Sequence, residues 1–272
     1  MLLKKLALTT VGLITLFGCA RNAISGRSQL MLTSESDLQA QAFTEYKSFL
    51  AKNKVVTASA DKKDYEVVQR VGKKIAAAIT NYYSQKGLSK ELSGYKWEFN
   101  LVESKDVNAW CMPGGKVVVY TGLLPVAQNE TGLAIVMGHE IAHAVLHHGQ
   151  ERVSQQQAAS VGGALVGTVL NNSRYKVASN VFNSIYAPTA QMAVILPNSR
   201  QQESEADHYG LIFAAMAGYD PALAIPFWQR MEKMSGGDNT PTLLRSHPSN
   251  ATRIADIRKI MPEAEQYYKK AR

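Results

Sequence analysis

Gly138-His139-Glu140-Ile141-Ala142-His143 lies in an apolar run, with Leu133, Ala134, Ile135 and Val136 before it and Val145 and Leu146 after. The pattern predicts a helix from Glu130 to about Ser160, with Asn129 as its N-cap. Residues four apart share a helix face, so His139 and His143 can present both imidazoles to one metal ion. Glu140 projects beside them, within reach of metal-bound water. Neutral imidazole suits zinc, and three protein ligands plus water make an open catalytic site. Zinc lowers the water pKa towards about 7. Glu140 can then accept the proton as hydroxide attacks a carbonyl, and later pass it to the leaving amine. Burying two histidines and a glutamate together without a metal would be costly.

The third ligand has to come from elsewhere, and the candidate segment is Ser199-Arg200-Gln201-Gln202-Glu203-Ser204-Glu205-Ala206-Asp207-His208. Glu203 and Asp207 share a helix face, whereas Glu205 lies about 200° around from Glu203. Spacing alone leaves Glu203 and Glu205 as alternatives. With Glu203 as ligand, Asp207 could orient a ligating histidine from behind.

Around these segments the chain reads as α+β and predominantly helical. Ser34 or Ser36 could cap a helix to about Leu50, and a second helix spans Asp64 to Gln85, stopped by Gly87. Trp97, Phe99 and Leu101 alternate with polar neighbours, and Val117 to Tyr120 form a β-branched run. With Pro113-Gly114-Gly115 as a turn, they predict a small sheet of two to four strands beside the metal-binding helix. Residues 158–170 are small and apolar but too few to span a membrane. Residues 171–198 are irregular and long enough to act as a lid. Further helices are expected over 199–217, 221–235 and 249–270.

The N-terminus reads as an address. Lys4 and Lys5 precede an uncharged run from Leu6 to Phe17, as in an export signal. The run ends Leu16-Phe17-Gly18-Cys19, which resembles the lipobox of bacterial lipoproteins. That resemblance implies cleavage before Cys19, a lipid on its sulfur, and a place on the periplasmic side of the outer membrane in a bacterial cell envelope. The expected organisation is a lipoprotein signal peptide over 1–18, a lipid-anchored tether over 19–35, and one catalytic domain over 36–272. At 46% hydrophobic and 19% charged, the chain can bury a core. Its two cysteines cannot make a disulfide scaffold. The formal charge of +8 falls to +6 once Lys4 and Lys5 are removed. No motif for nucleic acid accompanies that charge.

The paired segments H-E-I-A-H and S-R-Q-Q-E-S-E-A-D resemble metallopeptidase family forty-eight of the gluzincins, which includes the CAAX prenyl endoprotease and HtpX. Val107-Asn108-Ala109 with Pro113-Gly114-Gly115, His148-Gly149, Gly218-Tyr219-Asp220-Pro221, and His247-Pro248 with Arg253 are similar to its flanking features. The chain lacks the multiple transmembrane helices of those branches and resembles the soluble, bacterial lipoprotein-like branch. The resemblance implies a zincin-type domain holding one zinc ion on His139, His143 and Glu203. Glu140 would be catalytic and Asp207 supporting. It also places the strand Asn108–Met112 at the cleft, where Asn108 and Ala109 would pair with extended substrate.

Cys111 on that strand reads as a small buried residue. His247 could hydrogen-bond the oxyanion or occupy the open zinc position, and Arg253 could pair with Asp207. His147 and His148 are expected not to bind metal, and His208 to point away. The function implied is a zinc metalloendopeptidase acting on unfolded or misassembled envelope proteins. The alternative is an envelope chaperone or outer-membrane assembly factor with weak or gated catalysis, partnered by assembly machinery.

Overall fold

Helices begin where the sequence supplies a cap. Ser34 accepts from the Asp37 amide and starts α1 (Glu35–Lys52), and Asp61 accepts from the Asp64 amide and starts α2 (Lys62–Gln85). The computed structural model describes residues 18–164, 199–236, 240–247 and 252–271. The signal peptide therefore lies, but for Gly18, outside the described residues, as does the segment 171–198. Of the small apolar stretch 158–170, the residues beyond 164 lie outside them too.

Four strands form one sheet: β3 (Val55–Val56), β4 (Glu98–Val102), β5 (Ala109–Met112) and β6 (Lys116–Tyr120), in the order β3-β4-β6-β5. β4 and β6 run parallel, with Phe99 opposite Val117, and β5 returns antiparallel, with Met112 opposite Lys116. Gly114 and Gly115 make the turn between β5 and β6 with φ of 81° and 80°, a region closed to most side chains. Successive side chains point to opposite faces. On one face Phe99, Leu101, Val117 and Val119 join Val71, Ile75 and Ile79 of α2 and the helix that carries His139 and His143. On the other face Val102, Val118 and Tyr120 meet Leu38, Ala42 and Tyr46 of α1. Both faces are covered, which is why β6 reads as an unbroken apolar run.

The chain continues with a short α3 (Leu124–Ala127), then α4 (Glu130–Val145), capped by Asn129, then α5 (His148–Ala164). After the next described stretch come α6 (Ser199–Met216), α7 (Ala224–Lys233), α8 (Thr242–Ser246) and α9 (Arg253–Ala271). The expectation of one helix from Glu130 to Ser160 needs correcting, because the helix breaks after Val145. His147 adopts φ of 58°, the left-handed conformation that ends helices. Burial opposes a charge on this ring, but hydrogen bonds to Glu35 and Glu91 prevail and raise its pKa to about 9. The imidazolium thus ties the break to α1 and to the turn Ser89–Leu92.

Residues 19–35, expected to be a tether, instead carry a docked hairpin. β1 (Cys19–Arg21) pairs antiparallel with β2 (Ser28–Leu30), Cys19 opposite Leu30. The Asn22 and Gln29 amides both donate to the Leu146 carbonyl, at 3.0 and 2.9 Å, and so hold the hairpin against the end of α4. No helix among the described residues is long and apolar enough to cross a membrane.

α4 and α6 approach through glycine. A Cβ on Gly138 would stand 2.5 Å from the Gly210 carbonyl oxygen, and one on Gly210 would stand 2.7 Å from the His139 nitrogen. Both obstacles are backbone, so neither can yield cheaply. Gly210→Ala is expected to cost about 1–3 kcal/mol through overpacking and to weaken metal binding; thermal melts and chelator competition check both. His147 contributes stability that is complete below its unfolded pKa of about 6.5 and disappears as pH rises through about 9. His147→Asn, which tolerates the same backbone, should therefore melt lower at pH 6 by on the order of 1–2 kcal/mol, with the gap closing near pH 10.

Candidate metal centre

Beside the glycine contact the N-terminal half of α6 faces the middle of α4, and their polar side chains meet there. One donor atom from each of His139, His143, Glu203 and His247 lies within 4.8 Å of every other. His139 Nε2 and His143 Nε2 are 3.1 Å apart. Glu203 brings one carboxylate oxygen to 3.3 Å from His139 Nε2 and the other to 3.4 Å from His143 Nε2. His247 Nδ1 stands 3.0 Å from Glu203 Oε1 and 3.3 Å from His139 Nε2. Donors on a tetrahedral zinc with bonds of about 2.1 Å sit about 3.4 Å from one another, so this spacing suits such an ion. All four residues are at least partly buried, and His139, His143 and His247 fully so. Glu140 lies next to them with Oε1 buried and without a hydrogen-bond partner, 3.4 Å from His247 Nε2. An orphaned carboxylate oxygen beside converging lone pairs is what a site made for a metal and water would contain.

Electrostatics keep the acids ionised. Burial pushes the Glu203 carboxyl up, but His247 and His143 outweigh it and hold it well below its usual range. Burial likewise opposes the Asp207 charge, and Arg253 and His139 overcome it. Burial drives the His143 pKa well down, as a neutral ligand requires. At His139 burial is outweighed by Asp207 and Glu203, giving about 9.

Asp207 Oδ1 receives Nδ1 of His139 at 2.9 Å and is itself clamped by Arg253 at 2.6 Å. Arg253 lies over the Trp228 ring, 3.4 Å from its centroid. The structure thus brings Asp207 and Arg253 behind the cluster and His247 into it. α8 delivers His247, anchored by its Leu243 amide on the Val107 carbonyl. Glu205 turns away from the cluster, and His208 pairs with Glu263 at a partly exposed position. His147 lies outside the cluster. His148, five residues after His143, does not join the donors but places Nδ1 2.9 Å from His143 Nδ1. On an unbroken helix it would point about 140° away from His143. The break at His147 turns it back, and no sequence pattern announces a left-handed histidine.

β5 is an edge strand of its sheet, with Asn108 and Ala109 buried at its start. Cys111 is also buried, which pushes its thiol pKa well up, and Glu140 adds to that; it is no nucleophile at neutral pH. A cleft lined by Arg200, Glu203, Ser204, Asp207, Arg253 and Asp256 opens beside the cluster.

The model of Peptidase family M48 matches residues 63–261. Among curated relatives, a mitochondrial metalloendopeptidase OMA1 of Schizosaccharomyces pombe is 35% identical over 64% of this chain and 49% of its own length. Its Homo sapiens counterpart is 30% identical over 89% of this chain and 45% of its own length. A beta-barrel assembly-enhancing protease of Escherichia coli is 28% identical over 60% of this chain and 34% of its own length. The chain spans about half the length of these relatives, or less.

These matches correct the placement at the periplasmic side of a bacterial outer membrane. The relatives named mitochondrial match at higher identity and over more of the chain than the bacterial one. A basic start before an apolar run encodes charge and hydrophobicity, which targeting segments of several compartments share.

Replacing Glu203 should remove the metal, and replacing Glu205 should not remove it. Metal content by atomic absorption is expected to fall from one ion per chain to near none in Glu203→Ala and in His139→Ala. Full occupancy in Glu203→Ala would return the ligand role to Glu205.

Proposed function

Because the chain belongs to peptidase family M48, we propose that it is a zinc-dependent metalloendopeptidase holding one zinc ion on His139, His143 and Glu203. The observation that carries this is the convergence of those three donors next to the unpartnered Glu140 Oε1. Bound there, zinc supplies Lewis acidity that activates water and polarises a peptide carbonyl. Glu140 takes a proton from the attacking water at Oε1 and passes it to the leaving amine nitrogen. Its burial keeps bulk water from competing for that proton. Asp207 holds His139 through Nδ1, and Arg253 keeps Asp207 ionised and in place.

Extended substrate would pair with the outer edge of β5 along Asn108 and Ala109. Such pairing uses main-chain groups and is tolerant of sequence, which suits loosely folded chains. We take the substrates to be unfolded or misassembled proteins of a membrane system. The name of the Escherichia coli relative, which couples a protease with β-barrel assembly, supports that reading. Lipidation of Cys19 belongs to the same proposal; its thiol is free and exposed.

A second reading, an assembly factor with gated catalysis, draws support from His247. Its distances to Glu203 and His139 suit a fourth donor that fills the open position at rest. Movement of His247 would then admit substrate.

Purified protein should degrade casein. Glu140→Gln should lower that rate by about 100-fold or more while leaving zinc content unchanged, and chelation should abolish it. Activity that survives both treatments would overturn the mechanism. Full cellular rescue by Glu140→Gln would favour the assembly role.

A further inference from the structure

His143 has two ring nitrogens, and its tautomer decides whether it can bind an ion. Nε2 faces Glu203 and His139 in the cluster. For Nε2 to offer a lone pair, a neutral ring must carry its proton on Nδ1. That nitrogen lies 2.9 Å from Nδ1 of His148, which must then accept. His148 in turn must be protonated on Nε2, which points at Glu205 Oε2, also at 2.9 Å. An imidazole that accepts at Nδ1 carries its proton on Nε2, so the geometry fixes the His148 tautomer as well. The proton order runs in one direction, from His143 to His148 to Glu205.

The chain ends on Arg27. Its Nε donates to Glu205 Oε1 at 2.8 Å, while its two terminal nitrogens form a fork on Glu151 at 2.6 and 2.7 Å. The Arg27 side chain is 10% exposed and that of Glu205 14%. An ionised Glu205 is the acceptor that forces the His148 proton onto Nε2, and burial of that carboxylate needs a cation. Among the described residues, Arg27 is the cation in contact with it. Arg27 sits in the loop of the β1–β2 hairpin, far from α6 in sequence, and the hairpin is bolted to Leu146 at the end of α4.

We propose that Arg27 is a positioning residue of the metal centre: through Glu205 and His148 it holds His143 in the tautomer that turns a bare Nε2 towards the ion. The N-terminal hairpin is thereby a working part of the site. This rests on the reading of the cluster as a zinc centre. The arrangement mirrors Arg253–Asp207–His139 on the other ligand, with one imidazole added as a spacer.

The test compares wild type with Arg27→Met, Glu205→Gln and Glu151→Gln. The readouts are zinc affinity by chelator competition and the visible spectrum of the cobalt-substituted protein. Arg27→Met and Glu205→Gln should each weaken zinc binding by about 10- to 100-fold and shift the cobalt bands. The double variant should lose no more than the worse single one, because both act through one chain. Glu151→Gln should lower the melting temperature and leave the cobalt spectrum unchanged.

Unchanged affinity and spectrum in Glu205→Gln would overturn the proposal. That variant keeps the Arg27–Glu151 pair, so it carries the test even if Arg27→Met does not fold. A spectrum shifted equally by Glu151→Gln would also overturn it, since the ion pairs would then act as packing alone. Wild type that binds no zinc would instead overturn the zinc reading itself.

Discussion

The contact between Gly138 and Gly210 sets the distance on which everything at the centre depends. Helices crossing through ordinary side chains stay 8–10 Å apart. Here the backbone of α6 lies against the backbone of α4, with no room for a methyl group on either glycine. Glu203 sits about two turns before Gly210 on α6, and His139 is the residue after Gly138. A wider crossing would draw the carboxylate away from the imidazoles. The glycines therefore do for the metal site what a loop could do only with less precision: they fix two rigid elements at a short separation.

That closeness has an electrostatic consequence. Three histidines, three acids and an arginine are crowded into a largely dry space, where an unpaired charge is expensive. The structure answers with chains of alternating sign. Arg253 balances Asp207 behind His139, and Arg27 balances Glu205 and Glu151 behind His148 and His143. The His139 and His143 rings are each held at Nδ1, so neither can rotate without breaking a buried hydrogen bond. Such pairs contribute little net stability. What they secure is the orientation and protonation of the groups in front of them.

The parts legible in the sequence were those written at short spacing. His139, Glu140 and His143 follow from helical geometry within five residues, and the alternation of Trp97, Phe99 and Leu101 marks a strand directly. Glu203 and Glu205 could not be separated by spacing, because both lie on the same helix and the choice depends on how α6 is rotated against α4. That rotation is set by Gly210, which in a sequence is an ordinary helical glycine. The break at His147 was illegible for a different reason. A left-handed histidine carries no local signal, and its stability comes from Glu35 and Glu91, more than fifty residues upstream. With the break hidden, His148 pointed the wrong way, and the link to Glu205 and Arg27 vanished with it. The hairpin at Cys19–Leu30 read as a tether because its polar residues spend their hydrogen bonds on tertiary partners.

The four donors differ in how they are held, and the difference bears on function. His139, His143 and Glu203 stand on α4 and α6, whose backbones cannot separate without opening the core. His247 follows a helix of five residues and is tied to the sheet through the Leu243 amide and through Thr242 to Asp106, an exposed contact. An ion held by the three helical donors would keep those donors if His247 moved. The proposed gating would therefore ask α8 alone to move, against the packing of Leu243 and Leu244 in the core and the Arg253 bond to the His247 carbonyl.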